Sequence, residues 1–128
     1  MERHRVSTGT EWESRVGYSR AIRAGDTVRV AGTIATDDDG AVVAPGQPYE
    51  QTKHALGIVT DALDELGASP DDVVATRLYV TDMAHQEAVG RAHGEVFGDV
   101  RPAATMVEVS GLAAEGAVVE VEAEAVTA

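Results

Sequence analysis

Apolar side chains recur along this chain with two periods, and the changes of period mark its elements. Thr52, Ala55, Leu56, Val59, Ala62, Leu63 and Leu66 return every three or four residues and form one continuous stripe. Pro48 suits the first turn of a helix and Gly67 its end, so a helix is predicted from Pro48 to Leu66. A second stripe, Ala88, Val89, Ala92, His93, Val96 and Phe97, predicts a helix over Ala84–Phe97, ended by Gly98 and Asp99. Elsewhere the period is two. Arg3–Ser7 reads as a short edge strand, followed by Tyr18–Arg23, with Tyr18, Arg20 and Ile22 on one face, and by Thr27–Ala31. Val73–Thr81 is a strand with Val74, Thr76, Leu78 and Val80 on one face and Val73, Ala75, Arg77 and Tyr79 on the other. Two further strands, Ala103–Ser110 and Ala117–Val126, flank a Gly-marked turn. One face of the first carries Ala104, Met106 and Glu108, and one face of the second carries Glu120, Glu122 and Glu124. These two acid-bearing faces could lie side by side.

The connections read as turns. The stretch GTEWESRVG has the Gly, Thr and Ser content of a loop, with Trp12 as a lid over the core edge. Gly32 marks either a bulge or a close approach to the backbone. Asp37, Asp38 and Asp39 are consecutive, whereas a calcium loop spaces its ligands at alternate positions, so a solvated turn is expected. Ser69-Pro70-Asp71-Asp72 is another turn. Strands before, between and after two helices give an α+β layer, one sheet with both helices on one face and a single domain over residues 1–128. Val74, Leu78, Val107, Val119 and Val121 are expected to face the helices. The other face, with Arg77, Glu108 and Glu120, needs cover, and symmetric self-association would supply it.

Composition narrows the function. With one Trp, three Tyr and one Phe, the core must be Val, Leu, Ile and Ala, which suits thin strand-on-helix layers. A formal net charge of -12 works against nucleic-acid binding, which releases counterions through positive side chains, and an RNA-cleaving role would oppose that field. Cysteine is absent, which excludes disulfides, thiolate metal sites and a Cys nucleophile. MERHRVSTG lacks a signal-peptide core and no apolar run has membrane-span length, so the expectation is a cytoplasmic protein without membrane partners. His54, beside one stripe, has no second ligand at metal-site spacing, and His93 reads as a hydrogen-bonded boundary residue.

Four segments together, GYSRAIRAGDTVRVAGTIATDDDG, YEQTKHALGIVTDALDELGASPDDVVATRLYVTDM, AHGEVFGDVRPAATMVEVSGL and VVEVEAEAV, resemble the RidA/YjgF family of reactive intermediate imine deaminases over nearly the whole chain. The resemblance implies a chorismate-mutase-like fold, a homotrimer whose sheets form a central barrel, and small-molecule clefts between subunits. It implies hydrolysis of enamine and imine acids to 2-keto acids and ammonia with no cofactor and no metal. By the same resemblance, Tyr18 matches the cleft tyrosine and Glu120 the glutamate that activates water. The substrate-clamping arginine of the family's Pro-Ala-Arg-Ser motif is replaced by Ala104 in Pro102-Ala103-Ala104-Thr105. Gly90 and Ala31 replace an asparagine and a serine that deaminating members often have.

Loss of a bidentate clamp should cost roughly two orders of magnitude in rate or affinity. With Glu108 and Glu120 facing one cleft, an acidic substrate would meet repulsion. Arg20 or Arg77 could supply a relocated clamp, or pair with Glu108 or Glu120 structurally. The leading expectation is a divergent imine or enamine hydrolase in which Glu120 deprotonates water, Tyr18 orients the substrate, and backbone amides near Ala104 and Thr105 polarise it beside Gly32. The alternative is a non-catalytic ligand-binding or regulatory trimer.

Overall fold

The computed structural model describes residues 1–127, and its framework is a single sheet of six strands. In chain order these are β1 (Arg3–Val6), β2 (Ala21–Ala24), β3 (Thr27–Thr33), β4 (Val73–Val80), β5 (Ala103–Glu108) and β6 (Val119–Val126). The helices are α1 (Glu11–Val16), α2 (Pro48–Glu65) and α3 (Gln86–Phe97), with short 3-10 turns at Pro70–Asp72 and Met83–His85. Strand order is β1-β2-β3-β6-β4-β5, antiparallel except for the parallel pair β4 and β5. The α+β architecture with α2 and α3 on one face is as expected from the sequence.

Three expectations are corrected. First, the stretch around Trp12 is not a loop. Thr10 caps α1 by accepting from the Glu13 amide, and Gly17 ends it in the left-handed conformation at φ 90°. Trp12 is not a lid, being 56% exposed. Second, β5 and β6 do not lie side by side, because β4 is inserted between them. A parallel partner for β4 has to return through a crossover, and α3 supplies it. Third, a register shift between Val73 and Ala75 reverses the alternation at the start of β4. Val73 is therefore buried while Val74 is 46% exposed. Along β5, Met106 pairs with inward-facing Leu78 and packs on the core, leaving Val107 outside at 41% exposure.

The core forms where α2 meets the inner side of the sheet. Ala55, Leu56, Val59 and Leu63 of α2 pack with Val28, Val30, Leu78, Val80, Val119 and Val121. Phe97 of α3 joins them and stacks at 4.8 Å on His93, whose Nε2 lies 2.8 Å from the Thr76 hydroxyl. His54 is likewise a boundary residue, with Nε2 2.7 Å from the Thr36 carbonyl. The aspartate turn is tied by Asp37, which accepts from the amides of Asp39 and Ala41. The bulge at Val74 leads to a direct comparison. Leu78→Ala is expected to cost about 2–3 kcal/mol and Val74→Ala no more than about 0.5 kcal/mol, measured as urea midpoints.

Candidate functional site

The uncovered face of the sheet carries Arg29, Ala31, Arg77, Tyr79, Glu120, Glu122 and Glu124, and Glu120 is its focus. Inner positions of β6 are Val119, Val121, Ala123 and Ala125, all buried, so the intervening glutamates must project outward. A bulge in β3 between Val30 and Thr33 brings Gly32 under the Glu120 carboxyl group. A Cβ at position 32 would lie 2.8 Å from Glu120 Cδ and 3.0 and 3.1 Å from its oxygens. Only glycine leaves that space open. Burial pushes the Glu120 carboxyl above its ordinary range, the Glu122 charge adds to the effect, and Arg20 partly opposes it.

Beside it, Tyr18 and Arg20 enter from the segment before β2. One Arg20 nitrogen donates to the Gly32 carbonyl at 2.6 Å and to the Thr33 hydroxyl at 3.0 Å, and the other to the Tyr18 hydroxyl at 3.3 Å. Behind Arg20 stands Glu13, 2% exposed and 3.9 Å away. Its carboxylate accepts from the Ser7 hydroxyl at 2.9 Å, from the Thr8 hydroxyl, and from the Thr8 amide at 3.3 Å. Burial alone would raise the Glu13 pKa, but Thr8, Ser7 and the Arg20 charge together hold it below the ordinary carboxylate range.

Across β6, Tyr79 sits in register with Glu120 and donates its phenol to Glu122. That bond, with burial, pushes the phenol pKa upward. Arg77 is in register with Glu122, and Arg29 lies 3.5 Å from Glu124. A concavity of about 300 Å³ opens along the same face next to the Glu120 group, lined by Ile22, Arg29, Ala31, Arg77, Glu122 and Glu124 and not by Glu120 itself.

Among the residues singled out from the sequence, the structure brings Tyr18, Arg20, Gly32 and Glu120 together. Arg77 shares their face. Ala104 and Thr105 do not join them within one chain, being on β5 with β4 in between. Glu108 does not face the Glu120 cleft. It is in register with the buried Val80, on the helix side, and accepts from the Met83 amide at 2.8 Å. The anticipated pairing of Arg20 with Glu108 or Glu120 is also replaced, since the carboxylate nearest Arg20 is Glu13. Glu13 was missed from the sequence, although Thr10-x-x-Glu13 followed by Gly17 is a helix-start and helix-stop signal. A test of the packing at position 32 follows. Gly32→Ala is expected to push the Glu120 carboxyl into solvent, and its pKa, followed by NMR titration, should fall toward the ordinary range.

A single mixed sheet, backed by two helices and bearing a half-buried acid on its free face, defines an α+β protein of the chorismate-mutase-like type. Residues 8–127 match the family model described as Endoribonuclease L-PSP. An uncharacterized protein of Streptomyces coelicolor is 43% identical over 94% of this chain and 90% of its own length. The 3-aminoacrylate deaminase RutC of Acinetobacter baylyi is 32% identical over 81% of this chain and 82% of its own. The crystal structure of Rv2704 from Mycobacterium tuberculosis, described as a YjgF/YER057c/UK114 family member, superposes with a TM-score of 0.89 at 44% identity. That match covers 98% of this chain and 100% of the other. The chain belongs to the RidA/YjgF family.

Proposed function

We propose that this protein is a cofactor-free hydrolase of imine or enamine compounds, working as a homotrimer with its clefts between subunits. The observation that carries the reading is the Glu120 carboxyl, half-buried over Gly32 with a raised pKa and with Tyr18 and Arg20 alongside. A carboxylate with a pKa nearer neutrality is a better general base for water. Glu120 takes a proton from water as the oxygen adds to the imine carbon. The protonated acid then returns that proton to nitrogen, giving a carbinolamine, and Glu120 carries the remaining proton from its hydroxyl to nitrogen as the carbon–nitrogen bond breaks, so that a carbonyl compound and ammonia leave. Tyr18 orients the substrate. The deaminase named among the relatives supports this class of reaction. So does the uncovered sheet face, which leaves Val74 and Val107 exposed and which a second copy would cover.

The chain has Ala104 where the family's clamp would stand, and this favours a second reading, a trimer that binds a small ligand without turning it over. The net charge of -12 argues against RNA as a substrate, despite the family model's description. No helix among the described residues is long and apolar enough to cross a membrane. A coupled assay separates the two main readings: an amino-acid oxidase or amine oxidase generates imines, and their decay is followed with and without the protein. Acceleration that disappears in Glu120→Gln supports the hydrolase. No acceleration for any imine leaves the binding trimer, and light scattering showing a monomer would remove the intersubunit cleft.

A further inference from the structure

Two of the three glutamates on the outer face of β6 have an arginine opposite them in register, and the third, Glu120, has none. Arg29 stands 3.5 Å from Glu124, and Arg77 is in register with Glu122 across the β4–β6 ladder. Glu120 has Tyr79 as its register partner and, among the described residues, makes no ion pair. The cation nearest in effect is Arg20, whose charge Glu120 feels. Yet Arg20 is not free to serve a ligand. Its side chain is 11% exposed and its donors are directed at the Gly32 carbonyl, the Thr33 hydroxyl and the Tyr18 hydroxyl. Glu13, itself 3% exposed in its side chain, holds it from behind.

Moving Arg20 onto a ligand carboxylate would break those bonds and strand Glu13 in the interior without its counter-charge, which is costly for a buried ion. Such a lock is a specificity device, because it takes the cation beside Glu120 out of reach of a ligand anion. We propose that the ligand of the Glu120 cleft carries no carboxylate and is a neutral or cationic carbonyl, imine or iminium compound, selected by the binding of Arg20 to Glu13, Thr33 and the Gly32 carbonyl. This rests on the small-molecule cleft proposed above and adds the class of molecule it takes. A cationic iminium fits best, since it supplies the charge that Glu120 lacks and is the more electrophilic form for attack by water.

The groups facing Glu120 set how far the selection reaches. From the β2 side they are Tyr18 and Arg20, from β6 Glu122, and from β4 Tyr79, with Arg77 two register pairs further along. Only Arg20 and Arg77 are positive, and the first is held by Glu13 while the second faces Glu122.

The test compares two probes alike in shape and different in charge, pyruvate and methyl pyruvate, titrated into the full-length protein while the amide signals of Gly32 and Thr33 are followed by NMR. The ester is expected to bind at least about tenfold more tightly than the anion. In Glu13→Gln, which removes the charge drawing Arg20 away, that ratio is expected to shrink to within about threefold through a gain in pyruvate affinity. Wild-type protein that binds pyruvate as tightly as the ester, or more tightly, overturns the selection and leaves the cleft standing. Binding of neither probe, nor of methylammonium as a third, overturns the cleft itself. The wild-type comparison needs no variant, so it decides even if Glu13→Gln folds poorly.

Discussion

Glu120→Gln is expected to lower the turnover of any imine the wild-type chain hydrolyses by about 10²–10⁴-fold, the contribution of a positioned general base. The same substitution is expected to raise the unfolding midpoint at neutral pH. The folded-state pKa of Glu120 lies above its unfolded value, because burial and the Glu122 charge disfavour ionisation. The folded chain therefore holds this proton more tightly than the unfolded one. The stabilisation is complete below the unfolded pKa and is lost as pH rises through the folded pKa. At neutral pH the wild type bears the strain of an ionised, poorly solvated acid. Glutamine keeps the shape over Gly32 and removes the charge. A pH–rate profile of the wild type should rise through the same raised pKa, since only the ionised form accepts the proton from water. Loss of activity together with loss of stability would instead mark Glu120 as a structural residue.

Glu13→Ala is expected to destabilise the protein by about 3–5 kcal/mol, the usual cost of removing one member of a buried ion pair, measured by urea unfolding. It leaves the Arg20 charge uncompensated and deprives the hydroxyls of Ser7 and Thr8 of their acceptor. Its pH dependence runs opposite to that of Glu120. The Glu13 pKa is depressed in the folded state, so its stabilisation is present above the unfolded pKa and disappears as pH falls through the folded value. Acid unfolding of the wild type should therefore steepen below the ordinary carboxylate range. The variant should lack that step.

The long elements were legible in the sequence because each carries several apolar residues in phase. The Pro48 helix and the β6 alternation survive any single exception. Faces were harder. One extra residue in β4 turned Val74 outward, and nothing local to Val-Val-Ala-Thr marks where a strand steps out of register. Putting Glu108 and Glu120 on one face assumes that strands adjacent in sequence are adjacent in the sheet, whereas neighbours in a sheet with a parallel pair are set by the crossover through α3. Glycine was the better guide. Gly32 in the middle of an apolar strand signals a bulge or a close approach, and it is both, with Glu120 as the approaching group. Glu13 escaped notice because α1 has only six residues, too few to repeat an apolar stripe, so its cap alone could reveal it.

The position of β6 has a consequence for how this molecule comes together. The last strand of the sheet in sequence is central in space, joining β3 to β4, and contacts such as Arg29 to Glu124 span 95 positions. Until it docks, β3 and β4 are bare edges with unpaired amides and carbonyls, open to wrong partners. Closure through such distant segments is slow compared with local helix formation. The helices can form early, but the sheet is completed by the strand that bears Glu120. Assembly of the scaffold and arrival of its acid are one kinetic event, and an intermediate without β6 would be both prone to aggregation and chemically inert.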